Sequence, residues 1–218
     1  MVRLSFIAIN YNDPENFHLF YTSILRSYQT SNNQSQITIT IIDDGSSPPL
    51  PSYDFFHNIE IVRLPRTKHS SRACARSYAV KYVNNLYNPT HYVFLDGDGY
   101  VEPSFIDNYY QHFTQHSCHF VAGKCAIVQN VSSIKHIDGR DVICNMINIP
   151  FNMLTTKWIH TYGCNIAISR ELYEQIGGWD YQFKGWGVED IEFAYRVWLQ
   201  YPQYDILDNY WYKLPEVS

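Results

Sequence analysis

The chain contains no Cys-x-x-Cys pair and no run of about eighteen apolar residues. The first absence argues against a zinc site or a disulfide framework, because the five cysteines (Cys74, Cys118, Cys125, Cys144 and Cys164) are odd in number and scattered. The second excludes a helix that spans a bilayer. No secretory leader precedes the first apolar run, which begins almost at Met1. These features together predict a reducing, cytoplasmic setting, with peripheral attachment at the inner face of a membrane left open. Positive charge is also short: the net charge of −5 argues against a general nucleic-acid binder. Residues 7–16 contain no glycine, so a glycine- and lysine-rich phosphate loop is missing from the end of the first apolar run.

Aromatic residues, by contrast, are abundant. Among 218 residues stand nineteen tyrosines and five tryptophans, more than a core requires. Aromatic rings with polar handles are common at sugar-binding and interface surfaces. The length fits one sizeable domain. Apolar runs at 4–9, 37–42, 59–64 and 91–95 read as buried strands, and helical spacing fills 14–29 and 70–86. Asn12-Asp13-Pro14 reads as a cap with proline at a helix start. Further on come a helix from Glu102 to about Gln115, a strand at 120–128, no clear periodicity over 129–155, a strand at 165–169, a helix at 170–176, and a last extended stretch at 204–212. Alternating strands and helices in the first hundred residues imply a doubly wound parallel sheet, whose ligands bind at the carboxyl ends of the strands.

Three of those strand ends are polar: Asn10-Tyr11, Asp43-Asp44 and Asp96-Gly97-Asp98. Alternation along an extended backbone points Asp96 and Asp98 the same way. Two hard oxygen donors there suit Mg²⁺ or Mn²⁺, especially where phosphates complete the shell. Asp-Gly is also an ordinary turn former, and on this motif alone that reading stays open. A second acidic motif lies downstream, Gly185-Trp186-Gly187-Val188-Glu189-Asp190, preceded by Gly177-Gly178-Trp179-Asp180. Acids in a first helical turn are favoured by the helix dipole. That accounts for Glu189 and Asp190 but not for the glycine-tryptophan frame around them. Arg63, Arg66, Lys68, His69, Arg72 and Arg76 form the densest positive stretch; of these, Arg76 and Arg72 are expected to face the site.

In the order Ile-Asn-Tyr-Asn (9–12), Ile-Asp-Asp-Gly-Ser (42–46), Ala-Arg-Ser (75–77), Phe-Leu-Asp-Gly-Asp (94–98), Gly-Cys-Asn-Ile-Ala-Ile-Ser-Arg (163–170) and Gly-Gly-Trp-Asp through Glu-Phe-Ala-Tyr-Arg (177–196), the chain resembles the inverting, metal-dependent glycosyltransferases of family 2. Its second half is similar to a galactosyltransferase-type acceptor region, as in chondroitin-polymerase-like bacterial enzymes. The resemblance implies an α/β fold of GT-A type, a mostly parallel doubly wound sheet with helices on both faces. It implies one catalytic domain over 1–218, with a nucleotide-sugar half at 1–98 and an acceptor half at 99–218.

Residue roles follow from the same motifs. Asp44, with Asp43 beside it, falls where the family recognises uracil, and Asn10 and Tyr11 border that pocket. Arg76 falls near the nucleotide, with Ser77 where the family has asparagine. Asp98 matches the direct ligand of Mn²⁺ (or Mg²⁺), and Asp96 its partner near ribose and metal. Asp190 matches the catalytic base, with Trp186 and Glu189 on the acceptor side. No histidine follows His160, so another residue or water completes the metal shell, or the chain is part of a longer enzyme.

The implied reaction moves galactose, N-acetylgalactosamine or N-acetylglucosamine from a UDP-sugar to a hydroxyl of a glycan or glycolipid acceptor, as in polysaccharide or glycoconjugate synthesis. Two other classes compete. A metal-dependent nucleotidyltransferase shares the sheet and the paired carboxylates but needs the glycine-rich loop that residues 7–16 lack. A non-catalytic sugar-binding domain needs no second, separate acidic pair. The oligomeric state is not legible.

Overall fold

The computed structural model describes residues 1–51, 53, 58–67, 70–128, 134–137, 140–143, 146–148, 161–184 and 187–215. Trp186, Gly185, Lys68, His69, Cys144 and His160 lie outside the described residues. The chain opens with β1 (Leu4–Asn10), every residue of it buried. Helix α1 (Pro14–Thr30) starts as the sequence asks: Asp13 accepts from the Asn16 amide at 3.2 Å, and Pro14 sits in the first turn. Strands β2 (Ile37–Asp43) and β3 (Ile59–Arg63) follow. Ser71 then caps α2 (Arg72–Tyr87) through the Cys74 amide, and Asn88 ends it in the left-handed region at φ 47°. Next comes β4 (His91–Asp96). These four strands pair in the order β3-β2-β1-β4, all parallel, so the polar ends of β1, β2 and β4 share one edge.

The second half extends the sheet with mixed directions. Its elements are β5 (Gly99–Val101), α3 (Phe105–Gln115), β6 (Phe120–Val128), β7 (Ile134–Ile137), β8 (Arg140–Ile143), β9 (Met146–Asn148), β10 (Asn165–Ser169), α4 (Arg170–Gln175), α5 (Glu189–Gln200) and β11 (Asp205–Lys213). Strand β10 runs antiparallel between β4 and β6, β11 lies parallel to β6, and β5 closes the edge antiparallel to β11.

Three sequence expectations need correction. The stretch 129–155 carries the β7–β8 hairpin, and β9 pairs with β6; strands of three or four residues are too short for alternation to read. For the same reason β5 was not expected. Helix α3 begins at Phe105 rather than Glu102, because Pro103 and Ser104 form the turn before it.

Alternation along β1 divides the core. Phe6 faces Phe17, Phe20, Phe105 and Tyr109 beneath α1 and α3, whereas Ile7 joins Val83, Phe94, Trp179 and Phe193 beneath α2 and α5. Helices therefore cover both faces. Each buried ring contributes about 1.5–3 kcal/mol of transfer free energy. No described helix is long and apolar enough to cross a membrane.

Candidate active site

The carboxyl ends of β1, β2 and β4 are laced together before any ligand arrives. The Asp44 amide donates to the Asn10 carbonyl at 3.0 Å, and the Gly97 amide to Ile9 at 2.7 Å. The Asn10 side chain donates to the Gly97 carbonyl at 2.9 Å. A Cβ on Gly97 would stand 3.1 Å from both the Asn10 Cβ and the Ile9 carbonyl oxygen, so glycine lets Asp96 and Asp98 flank this close approach.

Above the strand ends lies a cavity of about 330 Å³ lined by Asn10, Tyr11, Asp13, Asp44, Arg66, Arg72, Asp96 and Asp98, among others. Asn10 Oδ1 is buried there without a hydrogen-bond partner. Arg66 pairs with Asp44 and lays its guanidinium 3.9 Å from the Tyr11 ring centroid. Burial pushes the Asp44 carboxyl up to about 6, with Asp43 adding to the rise and Arg66 opposing it.

Asp43, expected beside the nucleotide together with Asp44, faces away from this cavity. Adjacent strand residues face opposite ways. Its oxygens accept from the Ser46 amide at 2.8 Å, the Leu50 amide at 3.3 Å and Arg63 Nη1 at 2.6 Å. Asp43 thus shapes the loop after β2 and does not line the cavity.

The two carboxylates of Asp96-Gly97-Asp98 stand in different surroundings. Asp96 Oδ1 accepts from Arg76 Nη2 at 2.9 Å, and its Oδ2 lies 3.3 Å from Arg72 Nη1. Asp98 Oδ1 is buried with no hydrogen-bond partner. Burial first, then the neighbouring Asp96, pushes the Asp98 carboxyl up to about 6 against the pull of Lys213 and Arg72. A buried, unpartnered carboxylate oxygen beside a second carboxylate is a donor set that fits a hard divalent cation.

Behind Asp96 sits the centre of the site. Arg76 has no exposed surface. Its Nη2 reaches Asp96, its Nη1 reaches Asp190 Oδ1 at 2.5 Å, and its guanidinium carbon lies 4.6 Å from the Trp179 ring centroid. Burial works against the Arg76 charge, but Asp190, Asp96 and Glu189 outweigh it and hold the guanidinium protonated above its ordinary range. A side chain on Gly163 would run into both the Asp190 carboxyl and Arg76 Nη1. Glycine there permits the contact.

Asp190 is placed by α5, whose first turn holds Glu189, Asp190 and Glu192. Val188, at φ 72°, turns the chain into the helix. Arg196 fixes the helix to the preceding loop, bonding Glu192 at 2.5 and 2.7 Å and the carbonyls of Ile176 and Gly178 at 2.6 Å. Glu189 is buried and Asp190 partly open.

This geometry agrees with what the chain resembles. A family model described as Glycosyl transferase family 2 matches residues 5–177, and one described as N-terminal domain of galactosyltransferase matches residues 148–213. The chain belongs to glycosyl transferase family 2. Curated proteins give no match. Among solved structures, S. aureus TarS 1–349 aligns with a TM-score of 0.69 at 15% identity, covering 98% of this chain and 60% of that one. The same fragment in complex with UDP-GlcNAc gives a TM-score of 0.66 at 15% identity, with 100% and 60% covered. GalNAc-T7 with UDP, GalNAc and Mn²⁺ gives 0.68 at 13% identity, covering 100% of this chain and 45% of that one. The fold is therefore of GT-A type, and the chain spans 60% of the TarS fragment and 45% of GalNAc-T7.

Within this member of glycosyl transferase family 2 the structure gathers Asn10, Tyr11, Asp44, Asp96 and Asp98 at one cavity, and Arg76 links Asp96 to Asp190. Glu189 lies beside that linkage; Trp186 is outside the described residues. Ser77, in the family's asparagine position, donates to the Trp179 carbonyl at 3.0 Å and so ties α2 to the loop before α5. Three participants escaped the sequence reading. Arg66 was one cation in a basic run, and nothing local singled it out. Trp211 donates through Nε1 to the Asp96 carbonyl at 3.1 Å, and Lys213 acts on Asp98; both arrive on β11, through pairing that no local pattern encodes.

Proposed function

We propose that this domain is a metal-dependent, inverting transferase that moves a hexose or N-acetylhexosamine from a UDP-sugar to a glycan or glycolipid hydroxyl. One observation carries the reading: Arg76 joins a nucleotide-side carboxylate, Asp96, to a carboxylate from the other half of the chain, Asp190, beside a cavity that ends in Asp98. The TarS and GalNAc-T7 structures, solved with UDP-GlcNAc and with UDP, GalNAc and Mn²⁺, support N-acetylglucosamine or N-acetylgalactosamine as the donor sugar, and the galactosyltransferase family model supports galactose.

Asn10 Oδ1 and the Asp44 carboxylate are acceptors suited to the imide N–H of uracil, and Tyr11 offers a ring face that Arg66 now covers. Asp98, with Asp96, would hold Mn²⁺ or Mg²⁺. Bound there, the ion supplies charge neutralisation for the departing diphosphate. Arg72 adds a cation on the same side. Asp190 takes the proton of the acceptor hydroxyl as it attacks the anomeric carbon. Arg76 occupies its Oδ1, which leaves Oδ2 for the acceptor. A single displacement inverts the centre, so an α-linked donor gives a β-linked product. Trp186 and Glu189 belong to the acceptor side, and the work is placed in the cytoplasm or at the inner membrane face.

The test is a donor screen scored by UDP release with Mn²⁺ and with chelator, combined with competition by UDP and GDP. Release from one UDP-sugar that needs the metal, and that UDP inhibits more strongly than GDP, is the expected result. Equal competition by GDP would remove the uridine assignment. Metal-independent release would remove the role of Asp98.

A further inference from the structure

At the opposite pole of the sheet, where β6 and β11 begin, lies a second cluster of metal-binding side chains. We propose that His112, Cys118 and Asp205 form a site for a transition-metal ion of the zinc type, separate from the oxygen-only pair Asp96 and Asp98.

His112 lies in the last turn of α3, Cys118 in the short link to β6, and Asp205 at the first position of β11. One donor atom from each lies within 4.8 Å of the others. His112 Nε2 is buried, makes no aligned hydrogen bond, and stands 3.2 Å from Asp205 Oδ2. Burial lowers the basicity of this imidazole, although Asp205 opposes that, and a neutral ring is the form that ligates. The Cys118 thiol is buried and pushed up to about 11, so binding would release one proton as the sulfur becomes a thiolate.

Nitrogen, sulfur and carboxylate oxygen at bond lengths of about 2.0–2.3 Å are a zinc set. Closing to a tetrahedron brings donors to about 3.3–3.8 Å apart. Asp205, whose side chain is 54% exposed, has the freedom to make that shift. The fourth position is within reach of His116, one helical turn after His112, with ring centroids 4.8 Å apart. The backbone already curls around the point: the His116 amide donates to the His112 carbonyl at 2.9 Å and the Cys118 amide to His116 at 3.0 Å. A bound ion would pin α3 to the start of β11, whose far end carries Trp211 and Lys213 to the active site.

Co²⁺ reports such a site, because a thiolate ligand gives a charge-transfer band and tetrahedral geometry gives strong visible absorption. The metal-stripped chain titrated with Co²⁺ alone should bind one equivalent with both signatures, and Zn²⁺ should displace it. Cys118→Ser should abolish the thiolate band. Asp205→Asn, an exposed change that spares the fold, should weaken Co²⁺ binding at least about tenfold. Zn²⁺ should raise the unfolding temperature of the wild type and not of Cys118→Ser. Absence of the thiolate band overturns the proposal. So does a band that persists in Cys118→Ser and vanishes in Cys164→Ser, which would place the ion on Cys125 and Cys164 instead.

Discussion

The two sides of the active face are assembled by different routes. On the side proposed for the nucleotide, Asn10, Asp44, Asp96 and Asp98 lie at or just beyond the ends of three parallel, adjacent strands, so topology alone brings them together. On the side proposed for the acceptor, Asp190 comes from α5 and Gly163 from the approach to β10, and both stand against the fully buried Arg76. The first side is over-determined by backbone pairing. The second is held by the packing of α5, by Arg196, and by one buried cation, Arg76, shared among Asp96, Asp190 and Glu189. Substitutions should therefore act locally on the first side and spread across the site on the second.

The sharpest test of local action is Asp98→Ala. Loss of a metal-held diphosphate costs several kcal/mol of transition-state stabilisation, so transfer should fall on the order of 10³-fold or more. Calorimetry should show no Mn²⁺-dependent UDP binding. The ligand-free fold should stay as stable as wild type or gain slightly, because Asp98 Oδ1 has no partner to lose and its ionisation is disfavoured by burial. Unchanged Mn²⁺-dependent UDP binding would move the metal elsewhere.

Spread is tested by Arg76→Met. The methionine leaves Asp96, Asp190 and Glu189 facing one another with no cation between them. Breaking a buried pair by removing one partner costs about 3–5 kcal/mol, and urea unfolding should read a loss of that size. A loss within about 0.5 kcal/mol, typical of surface changes, would mean that Arg76 is not the tie between the two sides.

Asp190 separates chemistry from architecture. Asp190→Asn removes the base but keeps a carbonyl oxygen for Arg76 Nη1, so transfer should drop about 10²–10⁴-fold while UDP affinity with Mn²⁺ stays near wild type. Asp190→Ala removes both, frees Arg76 towards Asp96, and should also weaken UDP binding several-fold. Equal donor affinity in the two variants would show that the sides are independent after all. Retained transfer in Asp190→Asn would pass the base role to Glu189.

The same contrast explains what the sequence could announce. Polar residues at strand ends are local signals, and the structure brings Asn10, Asp44, Asp96 and Asp98 to one cavity. Asp190 was singled out by family resemblance, but nothing near it in sequence announces its bond to Arg76, 114 residues away. For Asp43 and Asp44, a two-residue motif does not say which side chain faces the cavity; alternation at the end of β2 decides that. Trp211 and Lys213 were missed because their place depends on pairing with β5, a three-residue strand without a readable period. Antiparallel additions at one end of a parallel sheet are set by long-range pairing, and short strands leave no pattern to read.

The smallest expected effect lies wholly on the nucleotide side, at Asp44. Its carboxyl is raised from 3.8 to about 6, burial being the largest cause. Only the ionised form accepts a hydrogen bond at both oxygens, so affinity for the base should fall as pH drops through about 6. One unit below that value, at pH 5, the loss should be about tenfold. Stability moves the other way. Between the two values the folded chain binds more protons than the unfolded one, so this group favours folding as pH falls towards the unfolded value and loses that contribution as pH rises through about 6. Uridine is the proper probe, since without phosphates it draws neither on the metal nor on Asp98. Its affinity should decline from pH 7 to pH 5 in the wild type and stay flat in Asp44→Asn, whose amide oxygen accepts at either pH. The same slope in both proteins would assign the titration to another group and remove Asp44 from the base pocket.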